Sequence, residues 1–311
     1  MEIRKASPED VPEIVTLLKN SLGESKVEKT EKIWNFKHVD NPFGKSLVLL
    51  AEEEGEIIGV RAFMRWQWQM GNQVFSAFRA VDTATHPKHR GKGIFKKLTL
   101  KALDIGKEEG VHFVFNTPNE QSKPGYLKMG WKEVSKLNIQ LTPVNPFRWK
   151  RKSNFTYGHQ IEEEKSIPDL CAHHNENQIL QNKFFTPKSA TYLKWRYEDN
   201  ALQNYHIIQE KDFYMAAYVK EHPYFCELRI VELLVSNKTS IKKLKKKLRS
   251  LAGKFGVQVI SVHPNTVWRS GFLAKIGPVL TLRNINLDDR QENCFQDLSS
   301  WNYTLGELEL F

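Results

Sequence analysis

The apolar positions of this chain change period several times, and each change marks an element. In Ser7–Leu22, Ile14, Leu17 and Leu18 form a helical stripe behind Ser-Pro-Glu-Asp, a capping serine followed by first-turn acids. A second helix is predicted over about Val27–Phe36, closed by Asp40-Asn41-Pro42-Phe43-Gly44. SLVLLAEEEGEIIGVRAFM then reads as two strands around an acidic turn at Glu54-Gly55-Glu56. Beyond it Met64, Trp66, Trp68 and Met70 alternate with Arg65, Gln67 and Gln69, and Gly71-Asn72 supplies a hairpin turn. A period of two buries one sheet face, so these aromatics read as sheet core rather than as a platform for stacked bases. Ala80–Phe95, AVDTATHPKHRGKGIF, runs from a strand through Pro87 into a loop with two glycines. Phe95, Leu98, Ala102 and Ile105 then share a helical face. A strand at Val111–Asn116, a short helical turn and a strand reaching Leu141 complete this series.

The glycine loop carries the first chemistry. Gly91 and Gly93 let the backbone approach a ligand, and the first-turn amides of the next helix have no internal partner. With Arg90 and Lys92 beside them, these amides suit a polyphosphate anion; a solvated turn is the plain alternative. Neither the nucleoside-triphosphate loop nor the GxGxxG fingerprint is present.

Two segments, in this order, resemble the GNAT superfamily of acyl-CoA-dependent N-acetyltransferases over about residues 1–142. One is Arg90-Gly91-Lys92-Gly93-Ile94-Phe95, similar to the family's pyrophosphate loop. The other is Asn119-x-x-Ser122-x-x-x-Tyr126-x-x-x-Gly130-Trp131, similar to the segment after the family's fifth strand. Two departures stand out: Phe95 replaces a small residue, and Pro124-Gly125 interrupts the helix before the tyrosine. The resemblance implies an α/β (α+β) fold, a mixed and mostly antiparallel sheet flanked by helices. It implies acetyl-CoA as cosubstrate, held by the loop residues, by Asn119 and Ser122, and by backbone groups near Ala84 and Thr85. Acetyl would pass directly to an amine, with a backbone amide stabilising the oxyanion and Tyr126 protonating the departing thiolate. The general base is Asp82, Glu120 or a relayed water. Trp34, Phe36 and His38 are the expected acceptor contacts, a small molecule being preferred to a protein.

The chain also repeats itself. Phe36-Lys37-His38-x-Asp40-Asn41 aligns with Trp195-Arg196-Tyr197-x-Asp199-Asn200, and Ala80-Val81-Asp82 with Ile230-Val231-Glu232. Phe95-Lys-Lys-Leu98 aligns with Ile241-Lys-Lys-Leu244, Gly110-Val111 with Gly256-Val257, and Pro118-Asn119 with Pro264-Asn265. In the second copy the glycine loop shrinks to SNKTS and Tyr126 aligns with Phe272. The expected organisation is a catalytic domain (1–142), a linker (143–178), a degenerate GNAT-like domain without a cofactor site (179–287) and a C-terminal arm (288–311). Glu232, an acid kept in the copy without chemistry, favours a structural role for Asp82.

Composition narrows the class. A length of 311 residues fits two domains, and three scattered cysteines give neither a disulfide framework nor metal spacing, so no metal is expected. His173-His174 has no further ligand nearby and reads as a solvated loop. No long apolar run and no signal-peptide pattern occur, which favours a cytoplasmic location. The formal net charge of +10 points to an anionic partner. Lys242, Lys243, Lys246, Lys247 and Arg249 face outward from a helix that buries Leu244, Leu248 and Leu251; this is a solvated face or a patch for an anionic acceptor, nucleic acid or membrane. Two rival functions remain: a non-catalytic acyl-CoA-binding scaffold, and a Fem-type aminoacyl transferase using charged transfer RNA.

Overall fold

The computed structural model describes residues 1–22, 28–145, 155–161, 166–264 and 271–308. Its first half runs β1 (Glu2–Lys5), α1 (Val11–Leu22), α2 (Glu31–His38), β2 (Leu47–Glu53), β3 (Glu56–Met70), β4 (Gln73–Thr85), α3 (Ile94–Glu108), β5 (Phe113–Asn116), α4 (Lys123–Lys128), β6 (Lys132–Lys136) and β7 (Ile139–Pro143). The second half runs β8 (His159–Ile161), α5 (Ile167–Gln181), α6 (Ala190–Leu193), β9 (His206–Glu210), β10 (Phe213–Glu221), β11 (Cys226–Val235), α7 (Lys238–Lys254), β12 (Val259–Val262), β13 (Phe272–Ala274), β14 (Val279–Asn284), α8 (Asp289–Gln296) and α9 (Leu305–Leu308).

The elements read from periodicity are present, with shifted edges. Thr30 caps α2 by accepting from the Ile33 amide at 3.2 Å, so the helix starts later than expected and reaches His38. Val27, where it was expected to begin, lies outside the described residues. Glu54 and Gly55 both have positive φ, which matches the turn of the β2–β3 hairpin to the twist of its strands. Trp66 and Trp68 are almost fully buried, as sheet core should be.

The strands form two mixed seven-stranded sheets, β1-β2-β3-β4-β5-β14-β6 and β13-β7-β12-β11-β10-β9-β8. They do not follow the boundaries expected from sequence. β7 leaves the first half to pair with β12 and β13, while β14 comes from the second half to lie between β5 and β6. The reason is physical: IQLTP and VLTLRN are short strands of similar alternation, and alternation specifies a face, not a partner. The exchange should make the halves interdependent. Residues 1–142 expressed alone should show no cooperative melting transition, because β5 and β6 lose the strand that pairs both. Co-expression with residues 143–311 should restore one; cooperative melting of 1–142 alone would contradict this.

Two further expectations change. Within 143–178, the stretch from Ile167 is the helix α5, which buries Leu170 and Cys171; Pro168 stands in its first turn, where a proline is tolerated. His173 and His174 therefore sit on a helix rather than a solvated loop, and His173 Nε2 lies 2.8 Å from the Ser236 carbonyl oxygen. Residues 146–154 and 162–165 of that stretch lie outside the described residues. The C-terminal arm is docked between the sheets, where Arg79 and Arg196 donate to the carbonyls of Glu307 (2.5 Å) and Gly306 (2.7 Å). Trp68 meets Trp301 edge-on at 4.7 Å, so one aromatic core joins both sheets and the arm.

Candidate active site

The glycine loop has the backbone its sequence requires. Gly91 and Gly93 adopt φ of +81° and +73°, left-handed values that disfavour other residues, and the space beside each α-carbon is open to 4 Å. Gly93 precedes α3 with no side chain to cap it, and the first internal bond runs from the Lys97 amide to the Gly93 carbonyl. Helix geometry therefore leaves the amides of Ile94, Phe95 and Lys96 pointing into the loop. Lys92 Nζ stands 3.5 Å from Glu53, and the Arg90 guanidinium donates to the Ser21 carbonyl at 2.8 Å. The second sheet contrasts with this: Asn237 caps α7 with its own side chain, accepting from the Ser240 amide at 2.9 Å.

The edge of β4 that leads into the loop is unpaired over part of its length. The parallel strands β4 and β5 are bonded only from Ala77–Arg79 to Phe113–Phe115. β4 then continues through Ala84 and Thr85, paired with β3 on one side; among the described residues no strand covers its other edge there. The β3–β4 register shifts between Arg61 and Ala62, leaving Asp82 as the extra residue of a bulge.

Asp82 is matched with partners. Its carboxylate pairs with Lys37 Nζ and lies 2.9 Å from His38 Nε2, while His38 Nδ1 lies 2.9 Å from Ser46 Oγ. Burial acts to raise the Asp82 pKa, but Lys37 and His38 overcome it and hold the carboxyl well below the usual carboxylate range. Burial pushes the His38 imidazole down, against Asp82. A carboxylate so compensated is a weak proton acceptor. The repeat reproduces the arrangement: Tyr197, aligned with His38, donates to Glu232, aligned with Asp82, at 3.0 Å, and Lys188 donates to Glu232 at 2.8 Å. The two acids thus tie a helical segment to a central strand in both halves.

Tyr126 lies on α4, buried, with its hydroxyl accepting from Arg61 Nη1 at 2.8 Å. Phe95 packs edge-on against its ring at 5.5 Å, consistent with Phe95 pointing inward. Asn119 Oδ1 accepts from both the amide and the hydroxyl of Ser122 at 2.9 Å, so this pair shapes the turn into α4. Glu120 is exposed on the same turn. Trp34, Phe36 and His38 are all buried. Trp34 and Asp82 line a narrow cavity with Val15, Leu18 and Leu202, whereas Phe36 stacks on Trp195 at 5.3 Å inside the core between the sheets. The aligned Phe272 lies on the edge strand β13 and is 57% exposed, so the repeat loses register there and Tyr126 has no counterpart at that position; Asn265 lies outside the described residues. On α7, Lys243 and Lys247 pair with buried Glu210, which accounts for part of the basic face, while Lys242, Lys246 and Arg249 are exposed. No group of three or more His, Cys, Asp or Glu among the described residues could hold a metal ion, and no described helix is long and apolar enough to cross a membrane.

Lys37 and Arg61 did not emerge from motif reading. Lys37 had a signal, since it lies inside the repeated Phe-Lys-His/Trp-Arg-Tyr motif. Arg61 had another, a single charge in the apolar run Ile57–Met64.

A mixed sheet with a splayed parallel pair, and a glycine loop opening onto a helix N-terminus, are the architecture of the GNAT fold. Residues 2–134 match the family described as acetyltransferase (GNAT) domain; that stretch is such a domain, and the protein is an N-acetyltransferase. Among curated relatives, the L-methionine sulfoximine/L-methionine sulfone acetyltransferase of Salmonella typhimurium is 25% identical over 187 residues, 55% of this chain and 100% of the relative. A probable N-acyltransferase from Enterococcus faecalis superposes with a TM-score of 0.67 at 13% identity, covering 92% of this chain and 73% of that one. A GCN5-related N-acetyltransferase from Anabaena variabilis gives 0.63 at 14% identity, covering 92% and 73%. At these identities the structures speak for the fold, which extends across both sheets.

Proposed function

We propose that the first sheet and its helices transfer acetyl from acetyl-CoA to a small amine. The observation that carries this reading is the left-handed Gly91 and Gly93 loop, which presents uncapped α3 amides beside the open edge of β4. The pyrophosphate occupies the loop, with Lys92 turning to it from Glu53. The pantetheine arm follows the β4 edge at Ala84 and Thr85, pairing with backbone groups as a short strand would. The acceptor nitrogen attacks the thioester, a β4 amide stabilises the oxyanion, and Tyr126 protonates the leaving sulfur. Asp82 braces α2 against the bulge, and a water takes the proton from the amine; exposed Glu120 is the remaining protein acceptor. The narrow cavity by Trp34 and Asp82 favours a small acceptor, in keeping with the amino-acid derivatives named for the Salmonella relative.

The test is thiol release from acetyl-CoA across a panel of amino acids, polyamines and amino sugars, with product mass as confirmation. Release that requires one class of amine, with a mass gain of one acetyl group, is the expected result. Acetyl-CoA binding without transfer to any amine, or no binding, would count against the reading.

A further inference from the structure

Arg61 is a fully buried cation in an apolar strand. No carboxylate among the described residues is paired with it. The rings of Phe63, Tyr126 and Phe95 surround its guanidinium at 4.6, 5.2 and 5.5 Å. Nη1 donates to the Tyr126 hydroxyl at 2.8 Å, while Nε and Nη2 have no acceptor among the described residues. Burying a charge without a counter-charge costs stability, and three aromatic faces compensate only in part. The Tyr126 hydroxyl in turn accepts from Arg61 and donates to no described group. Arg61 is in register with Thr83 at the edge of the β4 bulge, and Phe95, over the guanidinium, belongs to the first turn of α3.

We propose that Arg61 is a positioning residue for acetyl transfer, fixing the Tyr126 oxygen through one lone pair so that its proton is directed to the departing sulfur, and stabilising the charge left on that oxygen. This rests on the reading of Tyr126 as proton donor. The acceptor nitrogen forms the C–N bond as the C–S bond breaks. Sulfur leaves with the electron pair and takes the Tyr126 proton; the proton lost by the amine passes to water, and the phenolate is reprotonated from solvent. Thioester and amine become amide and thiol. The need for help follows from ordinary acidities. A thiol ionises near 8.5 and a phenol near 10, so proton transfer from an unassisted phenol to a thiolate is unfavourable by roughly 30-fold. A hydrogen bond from a guanidinium strengthens as its acceptor becomes anionic, offsetting that deficit.

The test compares two acetyl donors: acetyl-CoA, and 4-nitrothiophenyl acetate, whose thiolate leaves without a proton. Arg61→Met should lower kcat with acetyl-CoA by about 30-fold while KM for acetyl-CoA stays within about twofold. With the nitrothiophenyl donor the loss should shrink to about threefold or less. Arg61→Lys, which keeps the charge without the planar fork, should fall between. Equal losses with both donors, or a loss in KM alone, would mean a packing role and overturn the proposal. If Arg61→Met does not fold, judged by its melting curve, Arg61→Lys is read against the same two donors. Tyr126→Phe separates the two levels. If it loses no activity with acetyl-CoA, the proton-donor reading fails and this inference with it. If it shows the donor dependence and the Arg61 variants do not, only the role of Arg61 fails.

Discussion

Replacing Tyr126 by phenylalanine is expected to lower kcat for acetyl transfer from acetyl-CoA by about 10²- to 10³-fold, with acetyl-CoA affinity changed by less than about threefold. The size follows from what is removed, a proton donor to a leaving group. The selectivity for kcat follows from where it is removed. The ring lies against Phe95 at 5.5 Å and Trp131 at 5.1 Å, in the layer beneath α3, and phenylalanine fills the same space. The loop at Gly91 and Gly93 is untouched. One side effect is expected. Arg61 loses its acceptor, the Tyr126 hydroxyl, which should cost on the order of 1–3 kcal/mol of stability, seen as a lower melting temperature. Steady-state kinetics with the acceptor found in the amine screen checks the first part. An unchanged kcat would remove Tyr126 from the reaction and leave solvent as the proton source.

Element types were legible because their signals are local. The stripe of α1, the alternation of Met64–Met70, and the glycines of the loop each act within a few residues. The duplication was legible as well, and the matched contacts of His38 with Asp82 and Tyr197 with Glu232 give it structural content. What escaped the sequence depends on distant partners. β7 and β14 read as strands, but their exchange between sheets is decided by which edge each can complete. The α5 helix was obscured by its polar run His173–Gln178, and its orientation is set by Leu170 and Cys171 packing inward. The loss of register at Phe272 has the same origin. Once a strand is exchanged, the elements flanking it need not keep their spacing.

The same logic explains why one helix start is open to an anion and the other is not. A helix N-terminus is available to an anion only if nothing in the chain satisfies it first. Gly93 leaves the start of α3 open, whereas Asn237 closes the start of α7 with its side chain. The second half of the chain contributes instead the strand β14 to the first sheet, the arm that follows it, and part of the aromatic core shared between the halves. Its buried Lys188 bridges Glu232 and Glu307 at 2.8 and 2.5 Å, tying that arm to β11.

The second large effect concerns the loop itself. In a chain carrying both Lys92→Glu and Gly93→Asp, acetyl-CoA affinity should fall by at least about 100-fold, close to 3 kcal/mol. Three changes act together. The carboxylate introduced in place of Gly93 would cap the α3 amides where phosphate should sit, the left-handed φ of +73° disfavours any side chain, and both substitutions add negative charge. Because the space beside Gly93 is open, the fold should tolerate the change, and the melting temperature should move by only a few degrees. Isothermal calorimetry of acetyl-CoA binding, native chain against this variant, is therefore the most direct test of the central claim that the first-sheet loop holds the cofactor. The account predicts micromolar binding to the native chain and none detectable in the variant. Equal binding by both would place the cofactor elsewhere, and no binding by the native chain would contradict acetyl-CoA as the donor.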